Sequence, residues 1–357
     1  MRVDQLVPAF HRGDAIGDTA SHMKKFFLSQ GFHSQIYCLS RDSGLEGESA
    51  LFPSFTKPSS SDVTILHFAL PSPLTQAFMK LPSKKVIIYH NITPPEFFSE
   101  FSQEMARISR LGKEELKSLV PYVSLVLADS EYNRQDILKL GFKRSEVFPL
   151  FVDFEKYKRP PSRFMYELFR DERTNVLFVG RIAPNKKIED LIKVTFYFKK
   201  YISPLVRLIV VGKTSTIPKY YQSIVDIADA FYLVPEDICF TGHISDEEMF
   251  ALYKASDVFL SMSEHEGFGL PFIESMIFDL PIVAYDCTAV PYTLGGAGIL
   301  IRNKRVDYLG ELLNIVVHDE ELRKKIIESQ RQRLKEFKEM ELENYLIQNL
   351  KDLIEQD

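Results

Sequence analysis

The chain has 357 residues, of which 45% are hydrophobic and 26% charged, and its formal net charge is -5. That length suits two domains of ordinary size, and the composition excludes long disordered tails. The slightly acidic balance gives no reason to expect nucleic acid as a partner.

In chain order, short β-branched runs predict strands at 3–7, 35–39, 63–68, 86–89, 125–128 and 147–150. A second series follows at 175–179, 207–211, 238–241, 258–262, 282–285 and 299–301. Several are continuous apolar runs, as in a parallel sheet covered on both faces. Helix-period segments lie between them. One opens on Ser245-Asp246-Glu247-Glu248, a capping-box pattern. Alternating elements of this kind imply an α/β chain with doubly wound, Rossmann-like sheets.

The series restarts after a polar stretch near 153–173 that contains Pro160-Pro161. Two Rossmann-like domains are therefore expected, at 1–165 and 166–335. The charged, helix-periodic segment 336–357 is expected to pack back toward the first domain. Cys38, Cys239 and Cys287 sit in or beside apolar runs without metal-ligand spacing, and read as buried thiols in a reducing compartment. The chain opens Met1-Arg2-Val3-Asp4 with no apolar leader, and no run nears the roughly 20 apolar residues of a membrane helix. A cytoplasmic protein is expected, with peripheral attachment to the inner face of the membrane left open.

Open parallel sheets bind ligands beyond the carboxyl ends of their strands, so the residues just past each strand are the candidates. After 175–179 come Gly180-Arg181 and then Asn185-Lys186-Lys187 before a helix from Ile188. Asn185 reads as a helix cap, and two cations beside a helix start suit a diphosphate. A solvated basic loop is the plain alternative. After 258–262 comes Glu264-His265-Glu266-Gly267-Phe268-Gly269-Leu270, with Pro271 suited to a first helical turn and Glu274 one turn in. Carboxylates accept hydrogen bonds from hydroxyls, so Glu266 and Glu274 could hold two sugars of one extended ligand. The plain reading is one Glu on the helix dipole and one exposed Glu. After 3–7, the turn from His11 to Asp18 carries Gly13 and Gly17 but fits a dinucleotide fingerprint poorly. After 86–89 come His90 and Asn91, a polar pair at a strand end.

Taken together, Val179-Gly180-Arg181 with Lys186, and Glu266-Gly267-Phe268-Gly269 with Glu274, resemble family 4 of the retaining glycosyltransferases. The two glutamates have the family's seven-residue separation. Tyr89-His90-Asn91, Ala128-Asp129-Ser130, Val211-Gly212 and Phe240-Thr241-Gly242-His243 support the resemblance, which covers nearly the whole chain. It implies the GT-B architecture, two facing Rossmann-like domains with a cleft between them. It implies that Arg181 and Lys186 neutralise the leaving diphosphate, and that Glu266 holds donor sugar hydroxyls. Glu274 would bind the ribose, and Gly267, Phe268, Gly269 and Leu270 would form a backbone turn over sugar and phosphates. His90 would lie beside the donor sugar and Gly13 to Gly17 would form the first loop. Gly212, Lys213 and His243 would border the base.

Three departures stand out. The first loop lacks adjacent glycines, Lys187 replaces a common glycine, and the chain has no Trp to stack on a base. The resemblance implies transfer of a hexose, mannose from GDP-mannose or a sugar from UDP, to a glycan or lipid-linked acceptor in cell-surface polysaccharide synthesis. No cofactor is expected, and no metal, because no Asp-x-Asp motif occurs. Two further readings are a catalytically silent nucleotide-sugar binder of the same fold and a nicotinamide-dependent oxidoreductase. The last would need a glycine fingerprint after its first strand, whereas Gly295-Gly296-Ala297-Gly298 precedes one.

Overall fold

A computed structural model describes residues 1–11 and 13–355; Arg12 of the first loop lies outside them, as do the last two residues. The chain forms two compact units. The first holds Met1–Pro95, Glu104–Val152 and the tail from Met340; the second holds Glu96–Gln103 and Asp153–Glu339.

The first unit is built on a seven-stranded sheet. Its strands are β1 (Val3–Phe10), β2 (Ile36–Arg41), β3 (Ser49–Leu51), β4 (Val63–Phe68), β5 (Lys84–Tyr89), β6 (Leu125–Ala128) and β7 (Ser145–Val147). They lie in the order β3-β2-β1-β4-β5-β6-β7 and every neighbouring pair is parallel. β4 is buried along its whole length, which is why its sequence does not alternate. β7 departs from the expected span of 147–150: Pro149 has no N–H to donate to a ladder, so pairing stops before it. β3 was not expected, because three residues on a sheet edge give too short a pattern to read.

The second unit has six strands: β8 (Thr174–Val179), β9 (Val206–Val211), β10 (Ile238–Gly242), β11 (Val258–Ser261), β12 (Ile282–Tyr285) and β13 (Ile299–Ile301). The order is β10-β9-β8-β11-β12-β13, again all parallel. The winding reverses between β8 and β11. In open parallel sheets such a reversal is where ligands bind, beyond the carboxyl ends of the strands. The loops after β8 and β11 carry Gly180–Lys187 and Ser263–Gly269. The capping box forms as read, with Ser245 Oγ and Glu248 reciprocally satisfying the helix start.

The chain leaves the first unit after Val152, earlier than the expected boundary at 165. The helix Arg163–Phe169 already belongs to the second unit, where the Ser162 N–H donates to the Glu247 carbonyl at 2.8 Å. Residues 336–339 also stay with the second unit, as the end of the helix Glu320–Glu339. After a break at Met340, the helix Leu342–Glu355 lies in the first unit. Its Leu346, Leu350 and Leu353 join Val3, Val63 and Val86 in one core cluster. Lys84 Nζ donates to the carbonyls of Leu353 and Ile354, satisfying the open end of that helix. Among the described residues no helix is long and apolar enough to cross a membrane.

The last helix is thus part of the first unit's core. Leu350 is 2% exposed, and Leu350→Ala should lower stability by about 2–5 kcal/mol through lost burial and a residual cavity. Urea unfolding monitored by far-UV circular dichroism would check this; a loss under about 0.5 kcal/mol would mean that the helix is only loosely attached.

Candidate active site

In the second unit, β8 ends at Val179, and Gly180, Arg181 and a single turn at Pro184–Lys186 lead to the helix Ile188–Tyr201. Gly212, just past β9, cannot be anything larger, since a Cβ there would meet the Gly180 carbonyl oxygen at 1.9 Å. The two strand ends are thereby packed backbone to backbone. Lys186 folds back over this junction, and its Cε would lie 3.9 Å from a Cβ on Gly180.

Lys186 Nζ lies 2.6 Å from both carboxylate oxygens of Glu266. Both side chains are nearly buried, 13% and 11% exposed. The loop that presents Glu266 is fixed by its neighbours. Asn185 Nδ2 donates to the His265 carbonyl at 2.9 Å, and the Glu264 N–H donates to the Asn185 carbonyl at 2.8 Å. The Glu266 N–H donates to Thr288 Oγ1 at 2.8 Å, and the same hydroxyl donates to the Glu266 carbonyl at 2.9 Å. Lys304 Nζ ties Asp190, the Met262 carbonyl and Glu264 together at 2.9 to 3.0 Å. Asn185 is therefore a stitch between two loops and not the expected helix cap. The cap position falls on Lys187, which sits in the left-handed region at φ 51° where a glycine would be unstrained.

Arg181 is exposed, and no carboxylate among the described residues pairs with it. Gly267, Phe268 and Gly269 lead into the helix Leu270–Ile277, where Pro271 stands in the first turn. Phe268 is buried and its carbonyl accepts from Thr293 Oγ1. Lys213 and His243 are exposed beyond β9 and β10.

Glu274 lies apart from this group. It is buried, and its two oxygens accept from Tyr157 Oη at 3.0 Å and Tyr253 Oη at 2.7 Å. Burial pushes its carboxyl pKa up, while the two tyrosine hydroxyls and Lys156 pull the other way. Neither an exposed Glu nor a simple helix-dipole Glu describes it. The structure joins Lys186 to Glu266 and keeps Glu274 in a separate tyrosine pocket.

In the first unit, Gly17 stands where a Cβ would be 2.5 Å from the His11 carbonyl oxygen, so the first loop needs it for its own closure. Gly13 has open space around it. His90, just past β5, belongs to a hydrogen-bonded chain across four adjacent strands. Gln5 Nε2 donates to the Ala20 carbonyl at 2.9 Å, which leaves Gln5 Oε1 as an acceptor facing His67 Nε2 at 2.9 Å. His67 must therefore carry its proton on Nε2. Complete burial, then the neighbouring His90, push His67 well below the usual histidine range, so its ring is neutral and Nδ1 accepts. The donor at 3.0 Å is then His90 Nε2–H. His90 Nδ1 and Asp129 Oδ2, 3.2 Å apart, share a further proton. Burial raises the Asp129 carboxyl and His90 opposes it. Both ring nitrogens of His90 are thus committed within the first unit.

Residues 164–333 match the sequence model of the family described as glycosyl transferases group 1. The match spans just under half of the chain, and this segment is similar to the group 1 glycosyltransferases. Over 256 residues the chain is 24% identical to the serotype-specific mannosyltransferase WbdA of Escherichia coli, covering 67% of this chain and 30% of WbdA. It is 26% identical over 205 residues to the capsular polysaccharide biosynthesis glycosyltransferase CapM of Staphylococcus aureus, covering 56% of this chain and 50% of CapM. The chain thus spans from under a third to about half the length of these curated relatives. The crystal structure of Anabaena Alr3699/HepE in complex with UDP-glucose superposes with a TM-score of 0.76 at 17% identity, covering 99% of this chain and 100% of that one. That likeness gives the fold, the two Rossmann-like domains of the GT-B class.

Thr288, Lys304, Tyr157, Tyr253 and His67 carry none of the motifs read from the sequence. Each acts on a motif residue more than twenty positions away, or on its immediate neighbours, so no local pattern signals it. Cys287, one residue from Thr288, donates to the Ser263 carbonyl, and burial pushes its thiol up to about 12. It reads as a packed thiol without reactive character.

Two outcomes follow from the protonation geometry. A carboxyl raised in the folded state binds more protons there than in the unfolded chain, so its contribution to stability declines as pH rises above its ordinary value of 4.5. The stability difference between the wild type and Glu274→Gln should therefore shift in favour of the variant as pH rises from 4.5 toward neutrality; a pH-independent difference in denaturation midpoints would contradict this. Long-range imidazole ¹H–¹⁵N spectra should show His67 as the neutral Nε2–H tautomer down to pH 5 and His90 with a proton on Nε2 at pH 7.5. A bare Nε2 on His90 would break the chain of donors.

Proposed function

We propose that the chain is a retaining, metal-independent member of glycosyltransferase family 4 that moves a hexose from a nucleotide diphosphate to a glycan or lipid-linked acceptor in cell-surface polysaccharide assembly. The bidentate Lys186–Glu266 pair at the carboxyl ends of β8 and β11 is the observation that carries this reading. Mannose is the transferred sugar we favour, supported by the WbdA relative, with GDP-mannose ahead of UDP-sugars as donor. The work is assigned to the cytoplasm.

Cleavage of the glycosyl–phosphate bond develops negative charge on the departing diphosphate and positive charge on the sugar. Fixed cations at the leaving group stabilise that charge without reorganising, which is commonly the largest catalytic contribution. Arg181 pairs with no carboxylate among the described residues and Lys186 is held by Glu266, so both are available to a diphosphate once sugar hydroxyls compete for the carboxylate. Glu266, relieved of part of its ion pair, accepts those hydroxyls. The acceptor oxygen attacks the same face of the anomeric carbon that the diphosphate leaves. The carbon–oxygen bond to phosphate breaks, the new one forms, and the acceptor's proton goes to the departing phosphate oxygen. No protein nucleophile is required. Glu274 takes the ribose hydroxyls in exchange for the Tyr157 hydroxyl. The turn Gly267–Leu270 offers backbone N–H groups to the phosphates, and Gly212, Lys213 and His243 border the base. Gly13 and Gly17 belong to the first loop in this reading, and the His90 ring acts through its position beside the donor sugar.

Removing one partner of a nearly buried pair strands the other charge, so a stable control is needed. In assays with GDP-mannose, UDP-glucose and UDP-N-acetylglucosamine, Arg181→Ala and the double variant Lys186→Met/Glu266→Gln should fold and lose about 100-fold or more in rate. Transfer should persist in EDTA, and the product linkage should keep the donor's anomeric configuration by NMR. Undiminished turnover in these variants would remove the proposal's basis. Nucleotide-sugar binding in the wild type with neither transfer nor donor hydrolysis would favour the silent-binder reading.

A further inference from the structure

Within the second unit, residues 96–103 pack beside the turn that precedes Lys186 and leave a hollow of about 280 Å³. Glu96, Phe97, Glu100, Phe101, Lys187 and Glu189 line it. None of these positions was singled out for a function in the sequence except Lys187, and none belongs to the Lys186–Glu266 pair.

We infer that this hollow is the subsite for one neutral sugar ring of the acceptor. The inference rests on the proposal that Lys186 and Glu266 hold the donor. Three observations support it. The first is size: the volume falls just below the roughly 300–1,000 Å³ of pockets for drug-sized ligands, so one ring fits and an extended oligosaccharide does not.

The second is chemistry. Phe97 and Phe101 are half-buried and offer rigid apolar faces of the kind that stack on the C–H face of a pyranose. Phe101 is braced edge-on against Tyr220 at 5.1 Å, and Tyr220 donates to Glu189 Oε2 at 2.5 Å. Phe97 is set against the His265 ring at 6.1 Å. Around the rings, the carboxylates of Glu96, Glu100 and Glu189 are acceptors for sugar hydroxyls. Three carboxylates accompany the Lys187 ammonium, which is itself 3.6 Å from Glu189 and 3.5 Å from Glu264, and the Lys219 ammonium, which donates to the Glu100 carbonyl at 2.8 Å, leaving a negative excess. That balance repels a phosphorylated or uronic sugar and favours a neutral one.

The third is position. Lys187, in the lining, follows Lys186 directly, and Phe97, also in the lining, is set against His265, the residue before Glu266, so the hollow adjoins the chain neighbours of both halves of the ion pair. A ring held here is recognised by the carboxylates and lies near the segments that carry Lys186 and Glu266. The anionic donor is steered to the cations and the neutral acceptor to the carboxylates, so neither competes well for the other's place.

Saturation-transfer NMR on the full chain tests this, with methyl α-D-mannopyranoside and methyl α-D-glucopyranoside as neutral probes and mannose 6-phosphate as the anionic one. Spectra are taken with saturating UDP or GDP, and nucleotide affinity is measured on the same samples. At least one neutral glycoside should bind the wild type, and Phe97→Ala and Phe101→Ala should each weaken it ~5-fold or more, as loss of an aromatic contact does. Glu96→Gln, at an exposed position that poses no risk to folding, should weaken it without changing the melting temperature. Mannose 6-phosphate should bind worse than the neutral probes. The inference is overturned if no neutral glycoside binds, if binding is unchanged in all three variants, or if the phosphosugar binds as well. The donor reading is judged separately: nucleotide affinity should survive the three substitutions and fall in the double variant Lys186→Met/Glu266→Gln. If that double variant keeps full nucleotide affinity while the hollow variants lose the glycoside, the subsite stands and the donor reading fails.

Discussion

The Lys186–Glu266 pair is the interaction around which the loops at the carboxyl ends of β8 and β11 are arranged. Two nearly buried charges have lost most of their hydration, and only close, bidentate geometry with further hydrogen bonds nearby compensates for that loss. The structure supplies both. Each end of the pair stands on a loop that follows a strand of the sheet, and the strands concerned, β8 and β11, are neighbours at the point where the winding reverses. Ion pairs of this kind are weak evidence for stability. Their placement at the ends of two neighbouring strands is what the donor role proposed above requires, with a cation and an anion kept in register.

That register needs rigid support, and the support comes from groups with no evident chemistry of their own. Asn185 holds both loops together with its side chain and its backbone. Thr288 grips Glu266 at N–H and carbonyl alike, although it must sit in the left-handed region at φ 41° to do so. Lys304 binds Asp190 in the first turn of the helix Ile188–Tyr201 and Glu264 in the loop after β11, and lies over the Tyr285 ring at 4.5 Å. A side chain fixed by packing and by hydrogen bonds at both ends of its backbone can meet a transition state without paying for reordering.

How much of this was legible in the sequence depended on distance along the chain. Strand positions came through because parallel strands buried on both faces read as continuous apolar runs, and the helix starts at Ser245 and Pro271 came through because caps and prolines are local signals. The edge strand at Ser49 did not, because three residues carry no pattern, and β7 was displaced because the reading ran its apolar run through Pro149. The motif residues were visible as residue types just past strands. Their partners were not: Tyr157 and Tyr253 reach Glu274 from 117 and 21 positions away, and His67 reaches His90 across 23. Nothing in local composition marks a tyrosine as the ligand of a distant carboxylate. Asn185 was misread for a related reason. Its type suits a helix cap, but the turn at Pro184–Lys186 moves the helix start two residues on.

The two glutamates of one short motif show what the fold adds to the spacing. Glu266 precedes the helix and faces the Lys186 ammonium at 2.6 Å. Glu274 lies on the helix one turn in, where burial works against charge and two phenols work for it. An anion already paired to a cation exchanges partners readily when a polar ligand arrives, because the ligand offers replacement hydrogen bonds to both. A carboxyl enclosed by phenols has no such exchange until one phenol withdraws. Tyr157 lies within four residues of the point where the second unit begins at Asp153, so its withdrawal requires movement of the segment that enters the unit, whereas Tyr253 is fixed in the helix Asp246–Ala255. Of the two phenols, Tyr157 is therefore the one whose release would open Glu274 to a hydroxyl-bearing ligand. The spacing of the motif fixes where the carboxyls start, and the partners each one meets decide which can respond first.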